Sequence, residues 1–400
     1  MTDAPTIDLE DRRVLLSRRH LAVLAGLATD GPPSPDREAR DALAAAGALD
    51  ADGEAIPALR PVAAAAASAK AIARVSRLRG DVHREVEVRC GPDGVLVVPA
   101  ADGVSAEVIL AEPTAMARTL LRLAHVGPRD RPSADVLELS ADALLAGVRG
   151  PASWRDELGL TDAVLTRLEL RTHPEQPGPV VTLLDTPEAT WRVEGDGARA
   201  RLAPFTPTSL LDVLAAWQLA VIGPDSPADV DDAARDQPAS EPPVVELHDG
   251  GRRCRLPVPA DWEHLTDAPA LPFCAREVAE QGFATTVTAV VDDAPIPSDP
   301  REGAASVARD LDGGVVIAAD ADERGHVYVL AHGAPTHDVV SVQRRTAGVA
   351  VTYTAGMTAW PRLGPWLRQL ADTVGGDGAA SPRPDADGQR DGGSDGGEHR

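Results

Sequence analysis

Lysine is nearly absent from this chain: Lys70 is the one lysine among 39 basic residues. Cysteine is scarce as well, and Cys90, Cys254 and Cys274 stand far apart with no CxxC spacing. An odd, scattered set of three excludes a disulfide framework and a thiolate zinc site, and leaves each as a small apolar side chain. Long apolar runs are missing too. The richest, residues 61–69, is mostly alanine and falls far short of the ~20 residues a membrane span needs. The N-terminal MTDAPTIDLEDRR is acidic where a secretory signal is basic and then apolar, so the sequence reads as cytoplasmic, with no membrane partner. Positive charge is in deficit: 62 acids face 39 bases, a net charge of −23. Nucleic-acid affinity comes from neutralising phosphates, so this excess argues against such a partner. The sequence has no G-x-S-x-G, no G-x-G-x-x-G opening a helix after a strand, no P-loop and no H-E-x-x-H. It therefore reads as a non-enzyme without cofactor or metal.

What is present is punctuation. Residues 103–128, GVSAEVILAEPTAMARTLLRLAHVGP, read as a strand, a Pro113 stop, an amphipathic helix and a closing Gly-Pro. The plan returns at residues 197–224, GARARLAPFTPTSLLDVLAAWQLAVIGP, with Pro207 at the helix entrance. Proline in a first turn uses an amide that would be unpaired anyway, and Gly-Pro past the last turn stops the helix.

Ahead of the first copy, residues 15–27 predict an amphipathic helix, Asp36 caps a second helix, Gly47 ends it, and Asp52-Gly53 makes a turn. That opening is winged-helix-like, but its second helix has mixed charge and no basic recognition face. A helix is predicted over 61–77, then strands over 82–90, 94–98 and 104–110. The second half is read as a helix over 134–148, a helix grading to strand over 153–171, three strands between 179 and 203, and a helix to Val221.

Residues 224–243 carry six acids, one arginine and five prolines, the composition of an extended linker. Beyond it, strands over 244–258, 282–291, 313–319, 326–332, 339–345 and 349–354, with helices over 299–311 and 361–374, describe a second α+β unit. The Gly- and Asp-rich residues 375–400 read as a disordered tail. The domain plan is therefore 1–223, 224–243, 244–374 and 375–400.

The helical opening with AAGALDADG, the strand meander, the Pro-started helix and the repeated plan resemble the EspG family, chaperones of type VII secretion. The resemblance covers about residues 10–223. It implies an α+β fold of pseudo-two-fold antiparallel sheets with helical bundles. It also implies a cytosolic chaperone or adaptor that binds secreted helical ESX-type clients. RLPVPADW (residues 255–262) and GFATTVTAVV (residues 282–291) resemble the PsbP/Mog1-like fold of the actinobacterial LpqN type, which implies a second binding module without catalytic residues. The alternative function is a transcriptional regulator using the winged-helix-like start.

Two partner-binding candidates stand out. Asp102 lies in the turn before the repeated strand. Trp217 lies near the end of the second repeat helix, read either as an exposed anchor or as a side chain packed in the bundle. His83 reads as a sheet-face residue. His326, His332 and His337 read as surface histidines, and Asp320, Asp322 and Glu323 break the spacing of a calcium loop.

Overall fold

The computed structural model describes residues 4–8, 13–29, 36–100, 105–129, 136–149, 162–173, 175–187, 189–195, 198–223, 242–249, 252–266, 270–278, 283–311, 313–335 and 337–376. Residues 224–241 and the stretch after 376 lie outside this set.

The chain opens with a small antiparallel pair, β1 (Thr6–Asp8) and β2 (Arg13–Leu16). Three helices follow: α1 (Arg18–Leu27), α2 (Arg37–Ala45) and α3 (Arg60–Ser68). The Asp36 carboxylate accepts the Ala39 amide at 3.0 Å and Gly47 takes φ 73°, so both ends of α2 are set by the residues expected to set them. The helix predicted over 61–77 stops at Ser68. From Ala71 the pattern alternates, and β3 (Ala71–Arg79) buries Ala71, Ala73 and Val75 on one face while Arg74 and Ser76 take the other. Strands β4 (Val82–Gly91) and β5 (Gly94–Pro99) continue the meander. The strand predicted over 104–110 is broken at Val108, whose amide goes to the Val14 carbonyl at 2.9 Å. Before the break β6 (Ala106–Glu107) pairs with β2, and after it β7 (Ile109–Ala111) pairs with β5. Pro113 then starts a short 3-10 turn that runs into α4 (Met116–Ala124).

The helix predicted over 134–148 begins only at α5 (Ala141–Arg149). Ahead of it Leu137-Glu138-Leu139-Ser140 alternates and is taken up as the edge strand β8 (Leu137–Ser140). A second meander follows in β9 (Val164–Arg171), β10 (Val180–Asp185), β11 (Thr190–Gly195) and β12 (Arg199–Phe205), closed by α6 (Pro207–Ile222). Most of the helical part predicted over 153–171 lies outside the described residues; 164–171 is strand.

The pseudo-two-fold antiparallel sheets that the resemblance implies are joined edge to edge, so the two meanders share one sheet. Its order is β7-β5-β4-β3-β9-β10-β11-β12-β8, because β3 and β9 pair directly. The two halves keep one register. Val75 pairs with Val86 and, in the second half, Leu168 with Val181; Val88 pairs with Val97 and Leu183 with Arg192. Pro113 and Pro207 hold the same place at the two helix entrances. Across the join Val75 pairs with Leu168. Corresponding residues thus pair with each other, as a two-fold axis through the sheet at that point requires.

Alternation then assigns the layers. Val75, Val88, Val97, Leu168 and Leu183 share a cluster with Leu120, Leu121, Leu210, Leu211 and Leu214 of α4 and α6. On the opposite face Leu96 and Val98 pack under α1 and α3, while Leu184, Trp191 and Leu202 pack with Leu144 and Val148 of α5.

After the acidic stretch come β13 (Val244–Asp249), β14 (Arg252–Pro257), β15 (Glu263–His264), β16 (Phe273–Arg276), β17 (Thr286–Asp292), α7 (Pro300–Asp310), β18 (Val315–Asp322), β19 (Gly325–Gly333), β20 (Asp338–Thr346), β21 (Gly348–Gly356), α8 (Trp360–Thr373) and β22 (Gly375–Gly376). β15 to β21 form a seven-stranded antiparallel sheet, and β13, β14 and β22 a smaller one. Tyr328 and Leu330 meet Ala304 and Ala308 of α7 on one face of the large sheet. Val329, Val340, Val342 and Val351 share a cluster with Leu367 and Leu370 of α8 on the other. Trp262, at the end of RLPVPADW, packs edge-on against Trp366 of α8 at 6.3 Å. The fold class expected from the sequence, α+β with antiparallel sheets, is the one found.

A single apolar cluster runs from the nine-stranded sheet through α4, α6 and α8 into the seven-stranded sheet. Polar contacts cross the same boundary. The Trp360 indole N–H donates to Asp212 Oδ1 at 2.9 Å, and Arg118 Nε donates to Asp338 Oδ2 at 2.5 Å. A Cβ on Gly364, one turn beyond Trp360, would sit 2.6 Å from that indole, so the glycine leaves the ring its place in the helix layer. Proteolysis between residues 224 and 243 is therefore expected to give two fragments that co-elute as one species on size exclusion. Fragments that part without denaturant would show that the shared cluster does not hold them.

Candidate partner-binding site

The outward face of the nine-stranded sheet is covered by helices over each meander but open at the join. There β3, β4 and β9 present Arg74, Ser76, His83, Glu85, Arg167 and Glu169 around a trough of about 300 Å³. His83, Glu85 and Arg167 are exposed. Arg74 and Arg167 occupy corresponding positions, each one residue ahead of Val75 and Leu168, so the two-fold axis brings two guanidinium groups to one trough. Three strands at ~4.8 Å spacing make a strip ~10 Å wide, the diameter of a single α-helix.

A carboxylate ladder organises the strip. Glu87, with its side chain 2% exposed, receives Arg89 Nε at 2.9 Å and Arg74 Nε at 3.4 Å, and also pairs with Arg18. Arg171 Nε donates to Glu169 at 2.8 Å, and this hydrogen bond holds the Glu169 carboxyl below the usual range. His83 lies 2.8 Å from the Ser76 hydroxyl, a sheet-face residue as expected. The strip gathers arginines on a chain whose net charge is −23. Part of its signal is in the sequence: VLTRLELR alternates apolar with charged residues. Arg74 of β3 and Glu85, Glu87 and Arg89 of β4 fall on the same face as Arg167 and Glu169 once the strands are aligned, while Arg77 and Arg84 pair on the other.

The two sequence candidates are not part of this strip. Trp217 is 4% exposed and belongs to the apolar cluster between the sheets, so it packs in the bundle and does not stand out as an anchor. Its neighbour Gln218 is fully buried and accepts the Ala117 amide at 2.8 Å, tying α6 to α4. Asp102 lies outside the described residues. The three histidines do not share a site. His326 is buried and meets Tyr328 Oη at 3.0 Å, His332 meets Ser341 Oγ at 2.8 Å, and His337 lies against Phe283. Asp322 is bound to the buried Arg344 by two bonds of 2.8 Å, which holds its carboxyl below the ordinary range. Cys90 and Cys254 are buried, and burial pushes the Cys254 thiol up to about 11. Among the described residues no group of three or more His, Cys, Asp and Glu gathers as metal ligands would. In the winged-helix-like opening, Arg19 is held by Asp36 and Glu38 and Arg37 by Asp41. No helix among the described residues is long and apolar enough to cross a membrane.

No family model matches the sequence, and no curated protein matches it. A solved structure does. The chain is similar to the type VII secretion system chaperone EspG5 of Mycobacterium tuberculosis, solved in complex with the PE25–PPE41 dimer, at 11% identity and a TM-score of 0.30. The similarity covers 52% of this chain and 94% of that one.

A second concave feature lies where the two large sheets approach. This open cleft of about 1010 Å³ is lined on one side by Pro61, Asp93, Leu110, Glu112 and Arg118, and on the other by the β19–β20 turn with Pro335 and Asp338. The Arg118–Asp338 ion pair, both side chains largely buried, joins the two sides.

Proposed function

We propose that the chain is a cytosolic, non-enzymatic chaperone or adaptor that holds a helical client of a type VII secretion system, gripping it on the open centre of the nine-stranded sheet. The supporting observation is the helix-wide strip at the two-fold join, with Arg74 and Arg167 facing one trough between two helix-covered shoulders. A rigid sheet presents such groups at fixed spacing, and Arg74, held by Glu87, loses little further freedom on binding. The element order that resembles the EspG family supports the same reading for residues 1–223. In it, residues 244–374 are a PsbP/Mog1-like module that braces the helix layer from behind and leaves the outward face free.

The test is co-expression with small helical ESX-type proteins, comparing the native chain with the double variant Arg74→Glu/Arg167→Glu. Arg167 is exposed, but Arg74 pairs with the buried Glu87, so the double variant is expected to melt lower. Recovery is therefore compared on folded protein, with Arg167→Glu alone as the variant whose melting should be unchanged. Recovery of the client is expected to fall about tenfold or more, because like-charge contacts at an interface cost several kcal/mol. Equal recovery with both proteins would remove the sheet centre as the gripping surface.

A further inference from the structure

The nine-stranded sheet ends at β7, which pairs with β5 on one side and has no strand partner on its other side among the described residues. A bare edge carries unpaired backbone donors and acceptors, and soluble proteins usually blunt such edges with charge, proline or a covering segment. Here the edge carries Ile109, 52% exposed, and Leu110, 38% exposed. Leu110, Ala111 and Glu112 form one wall of the junction cleft, and Asp93 stands on the β4–β5 turn beside them. Neither Asp93 nor Glu112 has an ion-pair partner among the described residues, whereas Arg118 and Asp338 in the same cleft are spent on each other. The opposite wall is Gly333, Ala334, Pro335 and His337, with Asp338 paired to Arg118. The cleft thus offers a strand edge, the exposed Leu110 on that edge, and two carboxylates without an ion-pair partner among the described residues.

We propose that this cleft binds an extended, basic peptide segment of a partner protein, which adds as a strand along β7 and sets its Lys or Arg side chains against Asp93 and Glu112. Backbone pairing supplies the affinity in strand addition, and alternate side chains supply the selectivity. The occupant is an extended segment, since a helix has no free backbone groups to offer the edge. The proposal does not depend on the sheet-centre reading, because the two surfaces lie on different parts of the fold and are disrupted by different residues.

The probe is a fluorescein-labelled decapeptide of alternating Val and Lys, read by polarisation against the full chain. Three comparisons decide the outcome: a Val/Glu decapeptide, the Val/Lys peptide N-methylated at alternate residues, and the protein variant Asp93→Asn/Glu112→Gln. Binding of Val/Lys is expected to weaken roughly tenfold or more in each. The N-methylated arm separates strand addition from attraction to an acidic protein, since methylation removes backbone donors and keeps every charge. Equal affinity for the methylated and unmethylated peptides, unchanged affinity in the variant, or no binding of Val/Lys at all would each overturn the proposal. The Arg74→Glu/Arg167→Glu protein should bind the probe like the native chain.

Discussion

Trp360→Ala is expected to lower unfolding free energy by about 3–5 kcal/mol, the range for removing a buried aromatic ring. The indole is 0% exposed, lies over Gly364, receives the Arg368 guanidinium at 5.7 Å and donates to Asp212 of α6. Its removal therefore opens a cavity in the layer common to both sheets and orphans a carboxylate on the neighbouring helix. Chemical denaturation followed by circular dichroism gives the number, and Trp360→Phe divides it. The phenyl ring keeps most of the packing and loses the N–H, so about 1.5–3 kcal/mol of the loss should remain, the range for a hydrogen bond to a charged acceptor. A Trp360→Ala loss below ~1 kcal/mol would mean that the helix layer is not packed as described.

The second large effect is a matched pair. Leu120 of α4 and Leu214 of α6 occupy the same place after Pro113 and Pro207, and both are 0% exposed. Each changed to alanine should cost about 2–5 kcal/mol through lost transfer energy and the cavity left behind. Because the two sites are related by the axis through Val75 and Leu168, the two losses should be similar in size. The double variant should depart from their sum, since both side chains belong to one cluster. A loss of several kcal/mol at one site and none at the other would show that only one of the helices is anchored to the sheet.

The helix ends were legible because single residues set them. Asp36, Gly47 and Pro207 act where they stand, through a side chain or a fixed torsion, and need no knowledge of the rest of the fold. Residues 71–77 and 137–140 read as helix in the sequence for the opposite reason. Their neighbours are alanine-rich, so local propensity points to helix, and only the strands waiting at β4, β9 and β12 draw them into the sheet. The number of sheets was hidden likewise: a repeat in the sequence does not say whether its copies lie apart or join. Trp217 sits near the end of a leucine-rich helix where exposure and burial read alike, and its burial follows from the apolar cluster that gathers around that helix. The strip of Arg74 and Arg167 was written in the strands' alternation, yet it becomes a site only when residues 93 positions apart meet at the join.

That join has a consequence for how the molecule can change. Two separate copies of a meander and helix pairing through their edge strands would form a dimer whose existence depended on concentration and whose two sides stayed identical. One chain carrying both copies holds them at a fixed, high effective concentration, so the pairing of β3 with β9 survives any dilution. It also releases the copies from having to match. Val97 corresponds to Arg192, three helices cover one shoulder and α5 covers the other, and the bare edge strand β7 has as its counterpart β12, which is capped by β8. Symmetry is kept where the sheet must close and abandoned at its two ends.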